Sequence, residues 1–103
     1  MGNFVKVAKV DQIEADRGLV VEVQGQKIAL FHVGSNYYAI ADTCTHVGGP
    51  LSEGMLNGEE VTCPWHGARF SLKTGEVLGP PARSGVASYP VRVVDQDAEI
   101  ELP

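Results

Sequence analysis

The chain has 103 residues, of which 44% are hydrophobic and 20% are charged, and its formal net charge is −5. This length supports one domain with a small core, so we expect a single domain over residues 1–103. The negative charge disfavours nucleic acid and anionic membrane surfaces as partners, and it favours transient docking on a basic patch of another protein.

The N-terminal half of the sequence predicts short strands separated by turns. Alternating or β-branched runs predict the strands, and the polar segment after the first run predicts a loop over 11–18. The second and third strands should form a hairpin that turns at Gly25-Gln26. The fourth strand leads directly to Cys44. The predicted strands are 4–9, 19–23, 27–33 and 36–42.

The C-terminal half contains shorter strand signals and more turn residues. Segment 51–57 is ambiguous, although its Met55 and Leu56 are candidates to pack beneath the metal-binding loops. The prolines of segment 79–82 exclude a helix or a central strand, because proline lacks an amide donor. A closing hairpin should turn at Gln96-Asp97. The predicted strands are 59–62, 68–72, 76–78, 86–95 and 98–102.

No window of about 11 residues shows a helical stripe of apolar side chains. The pattern therefore predicts an all-β sandwich or barrel of about nine or ten short antiparallel strands. The metal-binding segment should form a subdomain inserted between these strands, over about residues 43–82.

Two Cys-His pairs are the chemically informative part of the sequence. They read Cys44-Thr45-His46 and Cys63-Pro64-Trp65-His66, and each offers one thiolate and one imidazole. Soft sulfur together with borderline nitrogen binds iron–sulfur clusters and zinc, so the four side chains alone leave both metals open. The third histidine, His32, lies in a predicted strand away from the pairs and is expected at the surface or half-buried.

The two pairs and their flanks resemble the Rieske iron–sulfur family. The family signature is C-x-H, a gap of about this length, and C-x-x-H. Segments 47–51 and 70–75, which follow the two pairs, and segment 79–82 also sit where such proteins carry similar residues. The resemblance covers nearly the whole chain and implies a Rieske-type fold with an inserted cluster-binding subdomain.

The resemblance implies one Rieske-type 2Fe-2S cluster per chain. Cys44 and Cys63 would bind the inner iron, and His46 and His66 would bind the outer iron, which lies toward solvent. Because a neutral imidazole donates less negative charge than a thiolate, the added electron goes to the histidine-bound iron, and the potential exceeds that of an all-cysteine cluster. By the same resemblance, segment 79–82 covers the cluster and excludes water.

Two departures from the respiratory-complex branch of the family imply a low potential. That branch has an extra cysteine beside each pair, and the two form a disulfide, whereas this chain has Gly49 and Trp65 there. The branch also uses a serine and a tyrosine as donors to the cluster sulfurs, where this chain has Ala68 and Phe70, and neither side chain can donate. Fewer donors stabilise the reduced cluster less, so we expect a potential of about −150 to 0 mV.

The pattern resembles the soluble ferredoxins of bacterial ring-hydroxylating dioxygenase systems. This resemblance implies a one-electron carrier, not itself an enzyme, that a flavoprotein reductase reduces and that passes the electron to a terminal oxygenase. The pattern also resembles the small subunit of assimilatory nitrite reductase, so an electron-transfer subunit of such an enzyme is an alternative. A zinc-stabilised binding module is a third reading of the four ligands.

Other functions are disfavoured by what the sequence lacks. A self-contained oxygenase would need a second iron site, commonly two histidines and a carboxylate, but only His32 remains outside the motif. No glycine-rich nucleotide fingerprint follows a strand. No segment reaches the roughly 18 apolar residues of a membrane span, and no signal-peptide run begins the chain. With both cysteines in the motif, none remains for a disulfide, so we expect a cytoplasmic protein. A transient electron carrier is also expected to be a monomer.

Overall fold

The computed structural model of this chain describes residues 3–15, 17–42, 50–65, 67–79 and 85–102. Regular structure in these residues consists of eleven strands and two 3₁₀ helices, at Val10–Gln12 and Leu51–Glu53, so the all-β prediction is confirmed. Neither 3₁₀ helix, with three residues each, could span a membrane. The strands are β1 Asn3–Lys9, β2 Gly18–Val23, β3 Gln26–Val33, β4 Asn36–Ala41, β5 Met55–Asn57, β6 Glu60–Thr62, β7 Arg69–Ser71, β8 Val77–Gly79, β9 Ser88–Tyr89, β10 Val91–Val94 and β11 Asp97–Leu102.

The strands form three antiparallel sheets. The first sheet has the order β1-β11-β10 and joins the two ends of the described chain. The second has the order β2-β3-β4-β9, and the third has the order β5-β6-β7-β8. Because the third sheet is built from four consecutive strands, it is a local meander, and the turn between β6 and β7 contains Cys63.

The second sheet contributes to two separate cores, one on each of its faces. Successive side chains of a strand point to opposite faces, yet four in a row are buried in β3. Ile28 and Leu30 belong to a core shared with the first sheet. Ala29 and Phe31 belong to a core shared with the third sheet. The continuous apolar run in the sequence thus marks a strand that is covered on both sides.

The hairpin between β2 and β3 turns one residue earlier than the sequence predicted. Val23 pairs with Gln26, so the turn is Gln24-Gly25 and not Gly25-Gln26. Both turn residues have positive φ, 52° and 79°. Two such residues make the type I′ turn, whose twist matches that of the flanking strands. The prediction was wrong because a residue other than glycine at positive φ is uncommon.

The predicted strand over 86–95 is wrong as one unit, because Pro90 divides it. β9 pairs with β4 in the second sheet, whereas β10 pairs with β11 in the first. Proline offers no amide hydrogen to a ladder, so the chain leaves one sheet and enters another at this residue. The closing hairpin turns at Asp95-Gln96 rather than at Gln96-Asp97, and Asp95 has a φ of 57°.

Three smaller differences complete the comparison with the predicted elements. The ambiguous segment 51–57 contains a strand, β5, which together with the divided strand raises the number from nine or ten to eleven. The predicted loop over 11–18 holds part of the first 3₁₀ helix, and its Ala15 forms a parallel bridge with His32. β8 reaches Gly79 at the edge of its sheet, and the remaining residues of segment 79–82 lie outside the described residues.

A close backbone contact holds the returning chain against the third sheet. Gly75 has a φ of 78°, and its carbonyl accepts the N–H of Val86 at 2.8 Å. A Cβ atom on Gly75 would collide with the carbonyl oxygen of Val86, and one on Gly85 would collide with the carbonyl oxygen of Gly75. Glycine is therefore required at Gly75 both by the positive φ and by the close approach.

Tyr38 of β4 joins the second sheet to the third. Its hydroxyl donates a hydrogen bond to the carboxylate of Glu59, in the turn between β5 and β6, and its ring packs against the core shared by the two sheets. This hydrogen bond raises the pKa of Tyr38 above its usual value, and burial and the negative charge of Glu59 add to the effect. The fold therefore stabilises the neutral hydroxyl.

Replacing Tyr38 with phenylalanine should lower the free energy of unfolding at neutral pH by about 0.5–1.5 kcal/mol, the usual net contribution of one hydrogen bond. Because the folded-state pKa is raised, this contribution is present below the unfolded-state pKa of about 10 and is lost as the pH rises through the folded-state pKa. Urea unfolding of both proteins at neutral and alkaline pH measures the difference.

Tyr37→Phe is the matched control, because it removes the neighbouring hydroxyl and leaves the Tyr38–Glu59 bond in place. The Tyr37 ring stacks on His32 with a centroid separation of 4.2 Å, and phenylalanine keeps that stack. A Tyr38→Phe protein as stable as the wild type at neutral pH would show that the bond does not hold the sheets together. A difference that persisted at strongly alkaline pH would contradict the assigned pKa.

Candidate metal centre

Cys63 is the predicted ligand that the structure describes. Cys44 and His46, in segment 43–49, and His66 lie outside the described residues. Among the described residues, no three histidine, cysteine or acidic side chains lie close enough together to hold a metal ion. These residues include only one of the four predicted ligands. The local geometry of the site is therefore read from Cys63 and from the residues that bracket the other three.

Cys63 is buried at the base of the turn between β6 and β7. Its side chain is part of the core shared by the second and third sheets, and the residue is 2% exposed. Its N–H donates to the carbonyl of Ala68 at 2.7 Å, so this bond continues the antiparallel ladder beyond the Thr62–Arg69 pair. The ladder thus fixes both ends of the turn that carries His66.

A backbone amide is directed at the sulfur of Cys63. The N–H of Trp65 donates to Sγ at 3.4 Å. A donor of this kind stabilises negative charge on a thiolate, whether the added charge comes from the ligand itself or from a reduced cluster. A buried thiol with a backbone donor therefore fits an iron–sulfur cluster.

The turn passes from a buried base to an exposed tip. Pro64 and Gly67 are exposed, and Trp65 is 50% exposed. Trp65 and Gly67 flank His66 in the sequence, so the described part of this turn runs from a buried cysteine to exposed residues. About half of the Trp65 surface is available to a partner protein, and the other half covers the fold beneath it.

The two positions at which the sequence analysis found no hydrogen-bond donor for the cluster sulfurs are occupied by buried apolar side chains. Ala68 and Phe70 are fully buried, and neither side chain carries a polar hydrogen. The donor to Cys63 Sγ that lies beside them is the main-chain N–H of Trp65. The low potential stays a prediction.

Asp42 lies at the base of the first ligand segment, where the sequence analysis counted it as the end of a strand. It is 5% exposed, and its Oδ1 accepts the N–H of Ser52 at 2.7 Å. Its main-chain carbonyl accepts the N–H of Leu51 at 2.6 Å. The signal in the sequence was an acidic residue at the end of an apolar strand, two positions before Cys44.

Two other side chains test the sequence analysis. His32 is half-buried and stacks on Tyr37, as expected for a histidine outside the motif. The expectation that Met55 packs beneath the metal-binding loops is wrong, because Met55 is 76% exposed. Leu56, the next residue of β5, packs on the core instead, since neighbours along a strand face opposite sides.

The chain matches a known family and relatives with named roles. Residues 3–90 match the model of the Rieske 2Fe-2S domain. The ferredoxin subunit of biphenyl dioxygenase from Pseudomonas sp. (strain KKS102) is 35% identical over 100 residues, which cover 96% of this chain and 92% of that protein. The ferredoxin subunit of 3-phenylpropionate/cinnamic acid dioxygenase from Escherichia coli (strain K12) is 48% identical over 77 residues, covering 74% of this chain and 73% of that protein.

Solved structures have the same architecture. The ferredoxin of carbazole 1,9a-dioxygenase from Nocardioides aromaticivorans IC177 is 29% identical and superposes with a TM-score of 0.89, covering 95% of this chain and 96% of that one. A protein assigned as the small subunit of an NADPH nitrite reductase is 28% identical, with a TM-score of 0.81 and coverage of 95% and 97%.

These similarities decide between the metals that the four ligands left open. The family model includes both Cys-His pairs, and the family binds iron and sulfide rather than zinc alone. The chain therefore belongs to the Rieske family, and it is an electron-transfer protein whose cofactor is a Rieske-type 2Fe-2S cluster.

Proposed function

We propose that this protein carries single electrons from a flavoprotein reductase to a terminal oxygenase of the ring-hydroxylating dioxygenase type. The alignment with the biphenyl dioxygenase ferredoxin subunit, over 92% of that protein's length, is the observation that carries the proposal. The likeness to the carbazole dioxygenase ferredoxin supports the same assignment. We further propose that the protein acts as a monomer in the cytoplasm, docking transiently on each partner.

The proposed ligands are Cys44 and Cys63 for one iron and His46 and His66 for the other. The burial of Cys63 and the exposure of the residues on both sides of His66 support this division, because the thiolate then approaches from the core and the imidazole from the solvent side. When bound, the cluster supplies a one-electron redox couple whose histidine-bound iron takes the electron.

The chain supports such a cluster in two ways. The main-chain hydrogen bond from Cys63 to Ala68 holds Cys63 in position, and the N–H of Trp65 stabilises negative charge on its sulfur. Apolar side chains around Cys63, among them the fully buried Phe70, keep water from that side. We assign the cluster-binding subdomain to about residues 43–82, around the meander of the third sheet and within the single domain 1–103.

Cys63→Ser should remove or strongly deplete the cluster, because an alcohol does not replace a thiolate as an iron ligand. Reduction of the wild type with dithionite should give a rhombic electron paramagnetic resonance signal of mixed Cys/His ligation, with about two irons per chain. His32→Asn is the matched control, since it removes a histidine outside the motif and should keep iron content and spectrum. A colourless wild type that holds zinc would refute the assignment of an iron–sulfur cluster.

Phe70→Tyr should raise the midpoint potential by about 20–65 mV, the one-electron equivalent of a hydrogen bond of about 0.5–1.5 kcal/mol that is made to the reduced cluster. The wild-type potential is expected between about −150 and 0 mV, and a value above about +150 mV would contradict the donor argument. Redox titration followed by visible circular dichroism gives both values.

Phe4→Tyr controls for the added hydroxyl. Phe4 lies in β1 under the Arg92 guanidinium, in the first sheet and away from Cys63. The Phe4→Tyr substitution should leave the midpoint potential unchanged. A Phe70→Tyr protein with an unchanged or lower potential, and with its cluster intact, would show that this position does not reach the cluster sulfurs.

The alternative function, a subunit of a nitrite reductase, is supported by the structural likeness to one such small subunit.

If the protein is a carrier, it should purify from its own host as a separate monomer. A flavoprotein reductase should also reduce it more slowly as salt is added, because a net charge of −5 promotes encounter with a basic surface and salt screens this attraction. Size-exclusion chromatography and stopped-flow reduction measure these properties. Co-purification with a larger chain at a fixed ratio that survives high salt would favour the nitrite reductase assignment.

A further inference from the structure

The two ends of the first ligand segment are joined by a buried polar contact. Asp42 and Ser52 are the buried polar residues of the described chain. One oxygen of the Asp42 carboxylate accepts the Ser52 N–H at 2.7 Å, and the Asp42 carbonyl accepts the Leu51 N–H at 2.6 Å. These two hydrogen bonds close the segment 43–50, which begins after Asp42 and contains the first Cys-His pair.

Both ends of this segment are attached to rigid parts of the fold. The N–H of Asp42 donates to the carbonyl of Lys27 in β3 at 3.0 Å. Leu51 is fully buried in the core shared by the second and third sheets. The main chain of Ser52 touches Gly18 of β2 so closely that a Cβ atom there would collide with it. The Asp42 carboxylate therefore connects two points that are each held by the rest of the fold.

A carboxylate is a costly group to bury, and its burial here calls for a physical reason. Removing a charged group from water is unfavourable unless hydrogen bonds replace the lost solvation. A hydrogen bond to a carboxylate is about twice as strong as one between neutral groups. A short, strong contact between the ends of a glycine-containing segment fixes their separation better than apolar packing would.

We propose that Asp42 is a positioning residue for the cluster. Its carboxylate, through the Ser52 amide, sets the separation of the two ends of the segment that carries Cys44 and His46, and so controls how firmly the cluster is held. The inference rests on the proposed ligands. Groups that hydrogen-bond directly to metal ligands change metal affinity by about 10–100-fold when they are removed, and we expect an effect near the lower end for Asp42, which acts through the main chain.

The test is the rate at which the loaded protein loses its cluster to an iron chelator, followed as bleaching of the visible absorbance. Asp42→Ala removes the acceptor and should speed the loss about tenfold or more. Asp42→Asn keeps the shape and one oxygen acceptor but makes a neutral hydrogen bond, so the loss should be only about two to five times faster. Partial rescue by asparagine separates the hydrogen bond from simple filling of space.

Two matched variants control for charge and for general stability. Asp11→Asn makes the same chemical change at an exposed residue of the first 3₁₀ helix and should lose its cluster at the wild-type rate. Ile100→Val weakens the core shared by the first and second sheets, away from Asp42, and should also retain the cluster. Urea unfolding of each variant provides the stability against which the rates are compared.

Wild-type rates in both Asp42 variants would overturn the proposal, and so would an Ile100→Val protein that loses its cluster as fast as Asp42→Ala. If Asp42→Ala does not fold, Asp42→Asn decides alone, since acceleration supports the proposal and an unchanged rate overturns it. A wild type that holds no iron would refute the ligand assignment itself. That failure is visible before any variant is compared.

Discussion

The burial of the second sheet on both faces is the constraint on which the rest of the structure depends. Each fully buried aliphatic or aromatic side chain contributes about 1.5–3 kcal/mol relative to exposure, and β3 buries such residues toward both cores. A slip of one residue would exchange the two sets of side chains between cores of different shape, so the register of β3 and β4 is strongly determined. The end of β4 is fixed as a result, and the first ligand segment starts there.

The cluster-binding part of the chain uses this fixed sheet as a support at three points. Tyr38 holds the far turn of the third sheet through Glu59, the Asp42 contact closes the first ligand segment, and Gly75 holds the returning chain at Val86. Each contact joins parts of the chain that are distant in sequence. The buried side chains of the third sheet, among them Val61 and Phe70, pack on Ala29, Phe31 and Ile40 of the second sheet, so these contacts add to its rigidity.

Much of this arrangement could be predicted from local sequence, and the exceptions share a cause. Strand runs, the Cys-His pairs and the absence of donor side chains at Ala68 and Phe70 are properties of neighbouring residues. The turn at Gln24-Gly25 was misplaced because strand pairing overrode the preference of glutamine for negative φ. Pro90 was read as part of one strand, since the sequence does not show that the chain changes sheets there.

The partners of buried polar groups were the other feature that local patterns missed. Asp42 and Ser52 are ten positions apart, and Tyr38 and Glu59 are 21 apart. A pattern that reads a few residues at a time cannot assign such pairs, because each residue alone is typical of a surface. Burial in the folded structure distinguishes Asp42 from the other acidic residues that the structure describes.

The potential of the cluster follows from a balance between fixed and adjustable groups. Reduction adds one negative charge to a protein whose net charge is already −5, which disfavours the reduced state, although solvent and salt weaken the effect. The main-chain N–H of Trp65 stabilises negative charge on the Cys63 sulfur and so favours the reduced state. Because this donor belongs to the backbone, its presence does not depend on which side chain occupies position 65. Positions 68 and 70 are different, because a hydroxyl there is gained or lost with a single substitution. We expect apolar residues at both positions to stabilise the reduced cluster less than hydroxyl donors would, which suits a carrier that must reduce a partner.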